Sequence, residues 1–380
     1  HYSMPIDVNR YRLEFPLVRS CTYLNHAAVS PVPCRVSEAM TGLIKDVQLF
    51  GASHFEDWLR AVETVRSSAA RLLNTAPADI AFVRNTSEGI SLFANGLEWQ
   101  KGDEVVLISG EFPANYYPWK ALEPKGVHLK LVPQEESEIR VESIARAITR
   151  RTRVVAVSFV QFLSGFRLDL SKLGDLCAAN NVLLLVDAIQ GWGAFPIDVK
   201  AAKIAALAAG GHKWLMGPSG CGILFVREDL TAWMKPSIVG WWSVEGWEDF
   251  VSHQPVWRKG AGRFESGTPN FAGIYGFGAA LEFLAEIGME AISERVLELT
   301  ARLRRGLLQM GYPVYGPTAP EACSGIVTFP PRERGVNELM QRFHDHNVMI
   351  SARSGMLRVS PHFYNTETEI DRVLELLSYN

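Results

Sequence analysis

Cysteine is scarce in this chain, and its few positions form no recognisable pattern. The five cysteines are odd in number and widely spaced, and no two of them form a C-x-x-C pair. This argues against a zinc site and against a framework of disulfide bonds. The arrangement favours small thiols in a reducing compartment, so we expect a cytoplasmic protein with no metal. The cysteines are Cys21, Cys34, Cys177, Cys221 and Cys323.

An excess of positive charge and long apolar runs are also missing. The formal net charge is -3, which gives no basic footprint for nucleic acid. No apolar run approaches the roughly 18 residues that a membrane span requires. The first residues lack the basic and then apolar pattern of a signal peptide. There is neither a G-x-G-x-x-G after a strand nor a P-loop, so a plain nucleotide-binding protein has no support.

The size and composition are those of a soluble globular protein with one large domain and a smaller one. A chain of 380 residues exceeds the usual size of a single core, and its 47% apolar and 21% charged residues are ordinary for a globular protein. In the first part of the chain, short runs that are apolar throughout alternate with helical patterns, which predicts a mostly parallel sheet covered on both faces. The predicted strands are residues 80–83, 105–108, 154–157, 183–186 and 222–226, and the predicted helices between them include 141–149 and 170–180.

From about Gly278 the pattern changes to long amphipathic helices and short strands, which predicts a smaller α+β domain. Residues 233–262 are rich in glycine and tryptophan and weakly periodic, so we interpret them as a long ordered loop near the active site. The predicted helices are residues 279–287, 292–310 and 367–377, and the predicted strands are 326–329, 348–351 and 356–359.

Two residues carry the chemistry. Asp187 ends an apolar strand, and Lys213 follows in a turn of small residues, Gly210-Gly211-His212-Lys213. A lysine amine can form a Schiff base with an aldehyde. A carboxylate can pair with a protonated pyridine nitrogen, which keeps the ring electron-poor. Their order, spacing and apolar setting predict an enzyme with a pyridine cofactor, in which Lys213 also acts as the general base at Cα.

These residues resemble the class V aminotransferase family of pyridoxal 5'-phosphate (PLP) enzymes, which includes cysteine desulfurases, isopenicillin N epimerase-like proteins and kynureninases. The resemblance runs from about Tyr23 to Leu377, and its motifs are V-D-A-I-Q at 186–190, G-H-K at 211–213, R-F-E-S-G-T at 263–268 and F-Y-N-T at 363–366. It implies a fold-type I α/β structure: a large domain with a mostly parallel sheet of the seven-stranded type, and a smaller α+β domain. The implied division is 23–277 for the large PLP-binding domain, and 1–22 with 278–380 for the small one.

The resemblance also implies roles for residues around the cofactor. Gln190 would lie near the ring hydroxyl, and His212 would bind the phosphate, while Gly210 replaces a serine that many relatives use there. Thr86 and Ser87 enter a helix after the strand 80–83, where hydroxyls and free N–H groups form an anion site. The remaining implied contacts are a ring stacked on the pyridine by Phe112, a polar contact near the ring hydroxyl or substrate from Gln161, and contacts from Gly267 and Thr268 to the phosphate of a partner subunit in a homodimer with shared active sites.

On the substrate side, Arg358 matches the family's arginine for the α-carboxylate, and Arg353 matches a second, more variable arginine. An arginine fork binds a carboxylate through two parallel hydrogen bonds, which suits an amino acid substrate. His26, in the segment Asn25-His26-Ala27-Ala28, would contact the substrate or only stabilise its turn.

The sequence argues against one type of reaction and leaves several others open. Desulfurases carry a nucleophilic cysteine on a loop between the two arginine positions, whereas only four residues separate Arg353 from Arg358 and no cysteine follows Cys323. Desulfurase chemistry by that route is therefore not expected. We favour an aminotransferase-like activity because no feature demands a leaving group. The alternatives are a C–S or β-elimination lyase, an amino acid epimerase, and a non-catalytic PLP-binding module.

Overall fold

The computed structural model describes residues 6–253 and 256–378. The helices are α1 (Val8–Arg12), α2 (Cys34–Phe50), α3 (Phe55–Leu73), α4 (Thr86–Gly96), α5 (Tyr117–Lys120), α6 (Val141–Ala147), α7 (Leu170–Ala179), α8 (Glu228–Thr231), α9 (Phe271–Ile287), α10 (Met289–Gln309), α11 (Val336–Asp345) and α12 (Glu367–Leu377). The strands are β1 (Thr22–Tyr23), β2 (Ile80–Val83), β3 (Glu104–Ile108), β4 (His128–Val132), β5 (Thr152–Ser158), β6 (Leu183–Asp187), β7 (Ala206–Gly210), β8 (Gly222–Val226), β9 (Val327–Phe329), β10 (Val348–Met349), β11 (Ser351–Arg353) and β12 (Met356–Val359).

A seven-stranded sheet forms the centre of the molecule, in the order β2-β8-β7-β6-β5-β3-β4. All its strands are parallel except β8, which runs antiparallel to both of its neighbours. The middle strands are apolar throughout because helices cover both faces. This confirms the predicted α/β fold with a mostly parallel sheet. Because the carboxyl ends of parallel strands meet at one edge, Asp187 and the residues after β5 and β7 lie close together.

Helix α4 begins at the edge of the sheet where the parallel strands have their carboxyl ends, and it packs on β7 and β8. Its close approach depends on Gly89, since a Cβ there would lie 2.9 Å from the Cβ of Ala208. Large buried clusters line the two faces of the sheet and account for most of the core. The N-terminus of α4 is thereby held beside the end of β7.

The C-terminal part has its own buried cluster, between α10, α11, α12 and a three-stranded antiparallel sheet of order β11-β12-β9. The N-terminal segment joins it, because β1 pairs in parallel with β10 and Phe15 stacks on Tyr364 with ring centroids 3.8 Å apart. The division into domains stays a proposal. Its boundary at residues 277 and 278 falls inside α9, where the helix continues without a break.

Helix α9 is the clearest difference from the predicted elements. It begins at Phe271, whereas the pattern predicted a start at residue 279. Its glycines lower helix propensity, so the pattern concealed the first two turns. Packing explains them: a Cβ on Gly276 would lie 2.6 Å from the Met40 side chain, and one on Gly278 would lie 2.4 Å from Val65. The glycines let α9 approach α2 and α3 closely.

Strands β4 and β7 and helices α2 and α3 have no counterpart among the predicted elements. For the elements that were predicted, the other differences are small. The predicted strand 348–351 is two short strands, β10 and β11, separated by Ile350. The predicted helices 292–310, 141–149 and 170–180 correspond to α10, α6 and α7, with ends shifted by one to three residues. Such shifts are expected because helix ends fray.

The tryptophan-rich segment 233–262 contains no α-helix or β-strand in its described residues, apart from a single bridge between Val244 and Trp257. Among the described residues, no single helix has the length and apolar character to cross a membrane. Only α9 and α10 taken together, across a bend of 80°, would meet those two requirements.

Candidate active site

A cleft of about 410 Å³ lies at the carboxyl edge of the sheet, between the ends of β6 and β7, the start of α4 and the β11–β12 hairpin. Lys213 lies in it, and the buried Asp187 ends the strand beside it. The lining residues are Ala27, Ala28, Val29, Asn85, Thr86, Ser87, Phe112, Ala114, Phe162, Ile189, Gln190, His212, Lys213, Arg353 and Arg358. Eight of the predicted site residues are therefore brought together in one cleft.

Asp187 has an unsatisfied carboxylate oxygen. Its Oδ1 accepts a hydrogen bond from the Ile189 N–H at 3.1 Å, but its buried Oδ2 has no partner among the described residues. The pKa of Asp187 is raised to about 7, chiefly by burial and to a smaller extent by the nearby Glu111, against the opposing effects of the Ile189 N–H and Lys213. An unpaired buried carboxylate is costly, so this oxygen is suited to a cationic or N–H partner supplied by a ligand.

Lys213 is held in a partly buried, cation-rich position. Its Nζ lies 5.5 Å from the centroid of the Phe112 ring. Burial lowers the pKa of Lys213 to about 8; Asp187 opposes this, and the charges of Arg358 and Arg353 add to it. A lysine with this pKa has a substantial fraction of free amine near neutral pH, which both a nucleophile and a general base require.

The start of α4 and His212 form a polar end of the cleft. The Asn85 side chain caps α4 by accepting the Glu88 N–H at 2.9 Å, and Thr86 Oγ1 accepts the Gly210 N–H at 3.0 Å. The Thr86 hydroxyl proton thus stays available to an anion in the cleft, beside Ser87. Burial and the charge of Lys213 lower the pKa of His212, which favours the neutral ring, and a neutral imidazole can donate one hydrogen bond.

Steric contact with His212 explains why position 210 is a glycine. A Cβ at this position would lie 3.2 Å from the His212 ring, which is tighter than most side-chain contacts. A serine there would compete with His212 for space. His212 therefore occupies room that a glycine leaves free.

The two arginines occupy different places on the β11–β12 hairpin. Arg358 is buried, and its Nε donates to Ser351 Oγ at 3.3 Å while Nη1 donates to the Phe162 carbonyl at 2.8 Å. Burial lowers the pKa of Arg358 to about 10, and Arg353 adds to this lowering. These bonds hold the guanidinium plane at the cleft wall. Arg353 is exposed, immediately before a two-residue turn in which both central residues have positive φ.

The two glutamines bond to the protein itself. Gln190 lies at the cleft, but its Nε2 donates to the Ala27 carbonyl at 3.0 Å and its Oε1 accepts the Trp214 Nε1–H at 2.9 Å. Gln161 is buried behind the cleft, and its Nε2 donates to Glu111 at 3.0 Å. In this arrangement Gln190 connects the chain after Lys213 to the segment of Ala27.

The geometry does not support a substrate contact by His26, and this corrects that expectation. The side chain is fully buried and does not line the cleft. Its Nδ1 bonds to the Ser360 carbonyl at 2.8 Å, and its Nε2 bonds to the Tyr364 hydroxyl at 2.7 Å. Because a carbonyl can only accept, Nδ1 carries the proton and Nε2 accepts from Tyr364. Both ring nitrogens are satisfied, so the alternative of a structural role remains.

Gly267 and Thr268 lie in a second cleft of about 500 Å³, which does not include Lys213. Thr268 is exposed, and the neighbouring Trp242 N–H donates to the Ser266 carbonyl at 3.3 Å. The single chain therefore does not bring Thr268 to Lys213. The contact of Thr268 with the phosphate of a partner subunit stays a prediction.

Sequence reasoning missed Glu111, Ile189 and Phe162. Ile189 and Phe162 line the cleft, and Glu111 is buried beside Asp187. Glu111 follows β3 in the same way that other site residues follow β5, β6 and β7. The rule that ligands gather at the carboxyl ends of parallel strands could have identified it.

The charges of this site fit PLP. The cleft combines Lys213, Arg353 and Arg358 with no lining carboxylate, so an anionic ligand would balance it. The unpaired Asp187 Oδ2 suits the protonated nitrogen of a pyridine ring, and Lys213 suits its aldehyde. Thr86, Ser87 and His212 offer donors for a phosphate.

This fold and this cleft define an α/β enzyme that holds a cofactor between a lysine and a buried carboxylate at the carboxyl edge of its sheet. A family model described as "Aminotransferase class-V" matches residues 22–373. The chain belongs to that family and is an enzyme of a PLP-dependent class, which confirms the sequence interpretation.

Similar proteins carry names from sulfur chemistry. A probable cysteine desulfurase of Methanothermobacter thermautotrophicus is 30% identical over 96% of this chain and 96% of its own. The structure of a cysteine desulfurase from Thermococcus onnurineus aligns with a TM-score of 0.89 at 25% identity, covering 99% of this chain and 98% of the other. The cystine C–S lyase C-DES, solved with its reaction product cysteine persulfide, aligns with a TM-score of 0.88 at 25% identity, covering 96% and 98%.

Proposed function

We propose that this chain is a PLP-dependent C–S lyase, which breaks the bond between Cβ and sulfur in a sulfur-containing amino acid. The observation that carries the proposal is the tight hairpin Arg353–Met356. A desulfurase that takes up sulfur on a cysteine thiol would carry that cysteine on a loop at this position. None of the five cysteines lines the Lys213 cleft. Elimination needs no enzyme thiol, because the sulfur leaves with the bonding electron pair. The names of the relatives add support for sulfur substrates.

The cofactor would be held by the residues that the cleft brings together. Thr86, Ser87 and His212 would donate to its phosphate, and Asp187 would pair with its ring nitrogen. When bound, PLP supplies an electron-poor ring that accepts charge from the substrate Cα. Phe112 is exposed at the cleft and could cover one face of the ring, where stacking adds roughly 1 kcal/mol.

Lys213 would move the proton. Its lowered pKa suits an amine that would hold the cofactor through its aldehyde and, as the free base, would accept the proton from the substrate Cα. The Cβ–S bond then breaks and its electron pair leaves with sulfur. Addition of water gives ammonia and a keto acid. A proton delivered elsewhere would instead give transamination or epimerisation, so the position of Lys213 relative to the substrate decides the outcome.

The substrate would be an α-amino acid. Arg358 is fixed by Ser351 and Phe162, so its remaining edge is prepared for a carboxylate. The exposed Arg353 could add a second contact. Val29, Phe112, Ala114 and Phe162 give the rest of the cleft an apolar wall, which suits a thioether or disulfide side chain.

A product assay tests the reaction. The purified enzyme would be incubated with PLP and with cystine, cysteine and S-alkyl cysteines, and also with amino acids that lack sulfur. Equal amounts of pyruvate and ammonia, with a released thiol or persulfide, are expected. A keto acid that keeps its side chain, formed only with an added keto acid acceptor and without ammonia, would identify an aminotransferase and contradict the lyase proposal. Racemised substrate would identify an epimerase.

We also infer that the enzyme works as a homodimer with shared sites, since Thr268 is exposed away from Lys213 in the single chain. Subunits with Thr268→Ala and with Lys213→Ala, each inactive alone, should regain partial activity when mixed. A cytoplasmic location is part of the same proposal and is supported by five unpaired cysteines. An enzyme that is fully active as a monomer in dilute solution would contradict the shared site.

A further inference from the structure

A second buried carboxylate lies behind Asp187. Glu111 follows β3, and its side chain reaches the end of β5, where Ser158 is the register partner of Asp187 on β6. One carboxylate oxygen, Oε1, accepts the Ser158 N–H at 2.9 Å and the Gln161 Nε2–H at 3.0 Å. The other, Oε2, accepts the Ser158 hydroxyl.

Two opposing effects act on the ionised form of Glu111, and burial, which raises its pKa, is the larger. Three donors point at its two oxygens, and hydrogen bonds to the ionised form favour that form. Burial acts in the opposite direction and raises the pKa of Glu111. No basic side chain in residues 6–253 and 256–378 makes an ion pair with it. In its ionised form Glu111 is therefore stabilised by hydrogen-bond donors but not neutralised by a cation.

Asp187 is the group that this charge affects. Glu111 raises the pKa of Asp187, and Lys213 lowers it. The charges of Arg358 and Arg353 in turn lower the pKa of Lys213. The Asp187 Oδ2 has no partner among the described residues. A cationic group that bound to this oxygen would be attracted by two carboxylates in a buried setting, where charges interact more strongly than in water.

We propose that Glu111 is a positioning residue that acts through Asp187 to keep the cofactor's ring nitrogen protonated. Glu111 holds the ends of β5 and of the Gln161 segment in place, and its charge adds to that of Asp187 at the ring nitrogen. A more strongly protonated ring accepts more charge from the substrate. This inference rests on the proposed pairing of Asp187 with the ring.

Glu111→Gln separates charge from structure. The amide oxygen can still accept the Ser158 and Gln161 N–H groups, and the amide nitrogen can donate to the Ser158 hydroxyl, so the packing is conserved while the charge is lost. Glu104→Gln is the matched control, because Glu104 begins the same strand at the opposite edge of the sheet, where it accepts the Thr149 hydroxyl at 2.6 Å.

Two measurements follow. In the protein without cofactor, carboxyl NMR should show that Glu111→Gln lowers the pKa of Asp187 by roughly one unit or more, while Glu104→Gln leaves it unchanged. In the holoenzyme loaded with ring-¹⁵N-labelled PLP, the nitrogen signal should shift towards the unprotonated form in Glu111→Gln. The kcat should fall, with little change in the KM for the amino acid, because Arg358 is untouched.

An unchanged pKa of Asp187, or an unchanged ring nitrogen signal, in Glu111→Gln would overturn the proposal. If Asp187→Asn moves the nitrogen signal and Glu111→Gln does not, Glu111 is only structural and the proposed function stands. If Asp187→Asn leaves the nitrogen signal unchanged, the proposed pairing itself fails. Should Glu111→Gln not fold, Ser158→Ala removes one donor from Glu111 and should change the pKa of Asp187 in the same direction by a smaller amount; no change would overturn the proposal.

Discussion

Two buried carboxylates of this molecule have opposite electrostatic surroundings. Glu265 is paired with the buried Arg66, whose Nη1 lies 2.6 Å from Glu265 Oε1, and it also accepts the Phe82 N–H at 2.8 Å. Burial by itself would raise the pKa of Glu265, but Arg66 and Arg258 outweigh it and the pKa is lowered. Asp187 has an orphan oxygen and a raised pKa.

The difference separates a structural ion pair from a binding site. Arg66 also donates to the Ile80 carbonyl at 2.7 Å, so the pair joins α3, β2 and the segment of Glu265. All the strong contacts of the Arg66–Glu265 pair are made within the protein. The lysine and arginines of the cleft, and the buried Asp187 beside it, are imperfectly paired within the protein, which lowers stability and leaves these groups available to a ligand. Variants in the two regions should therefore separate loss of activity from loss of stability.

The largest effect is expected from Lys213→Ala. Without its amine the enzyme loses both the cofactor attachment and the base, so turnover should fall by at least roughly 10²–10⁴-fold. The visible absorption of lysine-bound PLP should vanish, while thermal unfolding stays cooperative. Lys203→Ala is the control, since Lys203 is exposed and pairs with Asp175 at 2.7 Å. Retained absorption and turnover in Lys213→Ala would mean that another lysine holds the cofactor.

Asp187→Asn should lower turnover by orders of magnitude without unfolding the protein. An amide cannot supply the negative charge that keeps the ring nitrogen protonated. Its oxygen can still accept the Ile189 N–H. Steady-state kinetics of the loaded enzyme would measure the loss, and near-normal turnover would contradict the role of Asp187.

The same variant has a pH signature in the protein without cofactor. Native Asp187 has a pKa of about 7, whereas the unfolded-state value is about 3.9. The native state thus binds the proton more tightly, and the free energy of unfolding should fall as pH rises through this window. The full contribution is roughly 4 kcal/mol. Asparagine does not titrate, so the free energy of unfolding of Asp187→Asn should not show this fall. Chemical denaturation should show that the stability of the variant relative to wild type is greater at pH 8 than at pH 4.

Glu265→Gln should have the converse effect, a loss of stability. Removing one partner leaves Arg66 buried and unpaired, which costs about 3–5 kcal/mol. Glu63→Gln is a matched control, because Glu63 pairs with the same arginine at 3.1 Å but is exposed, so about 1 kcal/mol or less is expected. Denaturant midpoints would compare them. Equal effects of the two variants would show that burial of the pair is unimportant.

The smallest effect is expected from Arg358→Lys. Lysine keeps the charge but loses the planar fork, which should raise the KM for amino acids by roughly ten- to hundredfold, corresponding to about 1.5–3 kcal/mol. A decarboxylated amine analogue should be affected much less, and Arg353→Lys should be milder because Arg353 is exposed. Similar small effects on acid and amine would assign Arg358 a structural role.

Local patterns predicted many elements of this fold and part of its site. Five strands of the central sheet, together with β12 and α12, were identified because burial on both faces, or alternation along a helix, leaves a direct trace in the sequence. Strands β4 and β7 of the same sheet were not identified. The first turns of α9 were not, because Gly276 and Gly278 lower helix propensity and only their contacts with Met40 and Val65 show their purpose. The motif around His26 left a substrate contact and a structural role open, and its buried hydrogen bonds favour the structural role.

The sequence by itself determined the family and the α/β class, and it singled out Lys213 and Asp187 as the candidates for the chemistry, since each inference depends on residue types at fixed spacings along the chain. Only the tertiary structure decided which polar groups are already satisfied. Gln190 is bonded at both ends of its amide, the Asp187 Oδ2 is not bonded, and Glu111 lies behind it. These facts depend on residues far apart in the chain meeting at the edge of one sheet. Burial then converts small differences in pairing into large differences in pKa, and no local pattern carries that information.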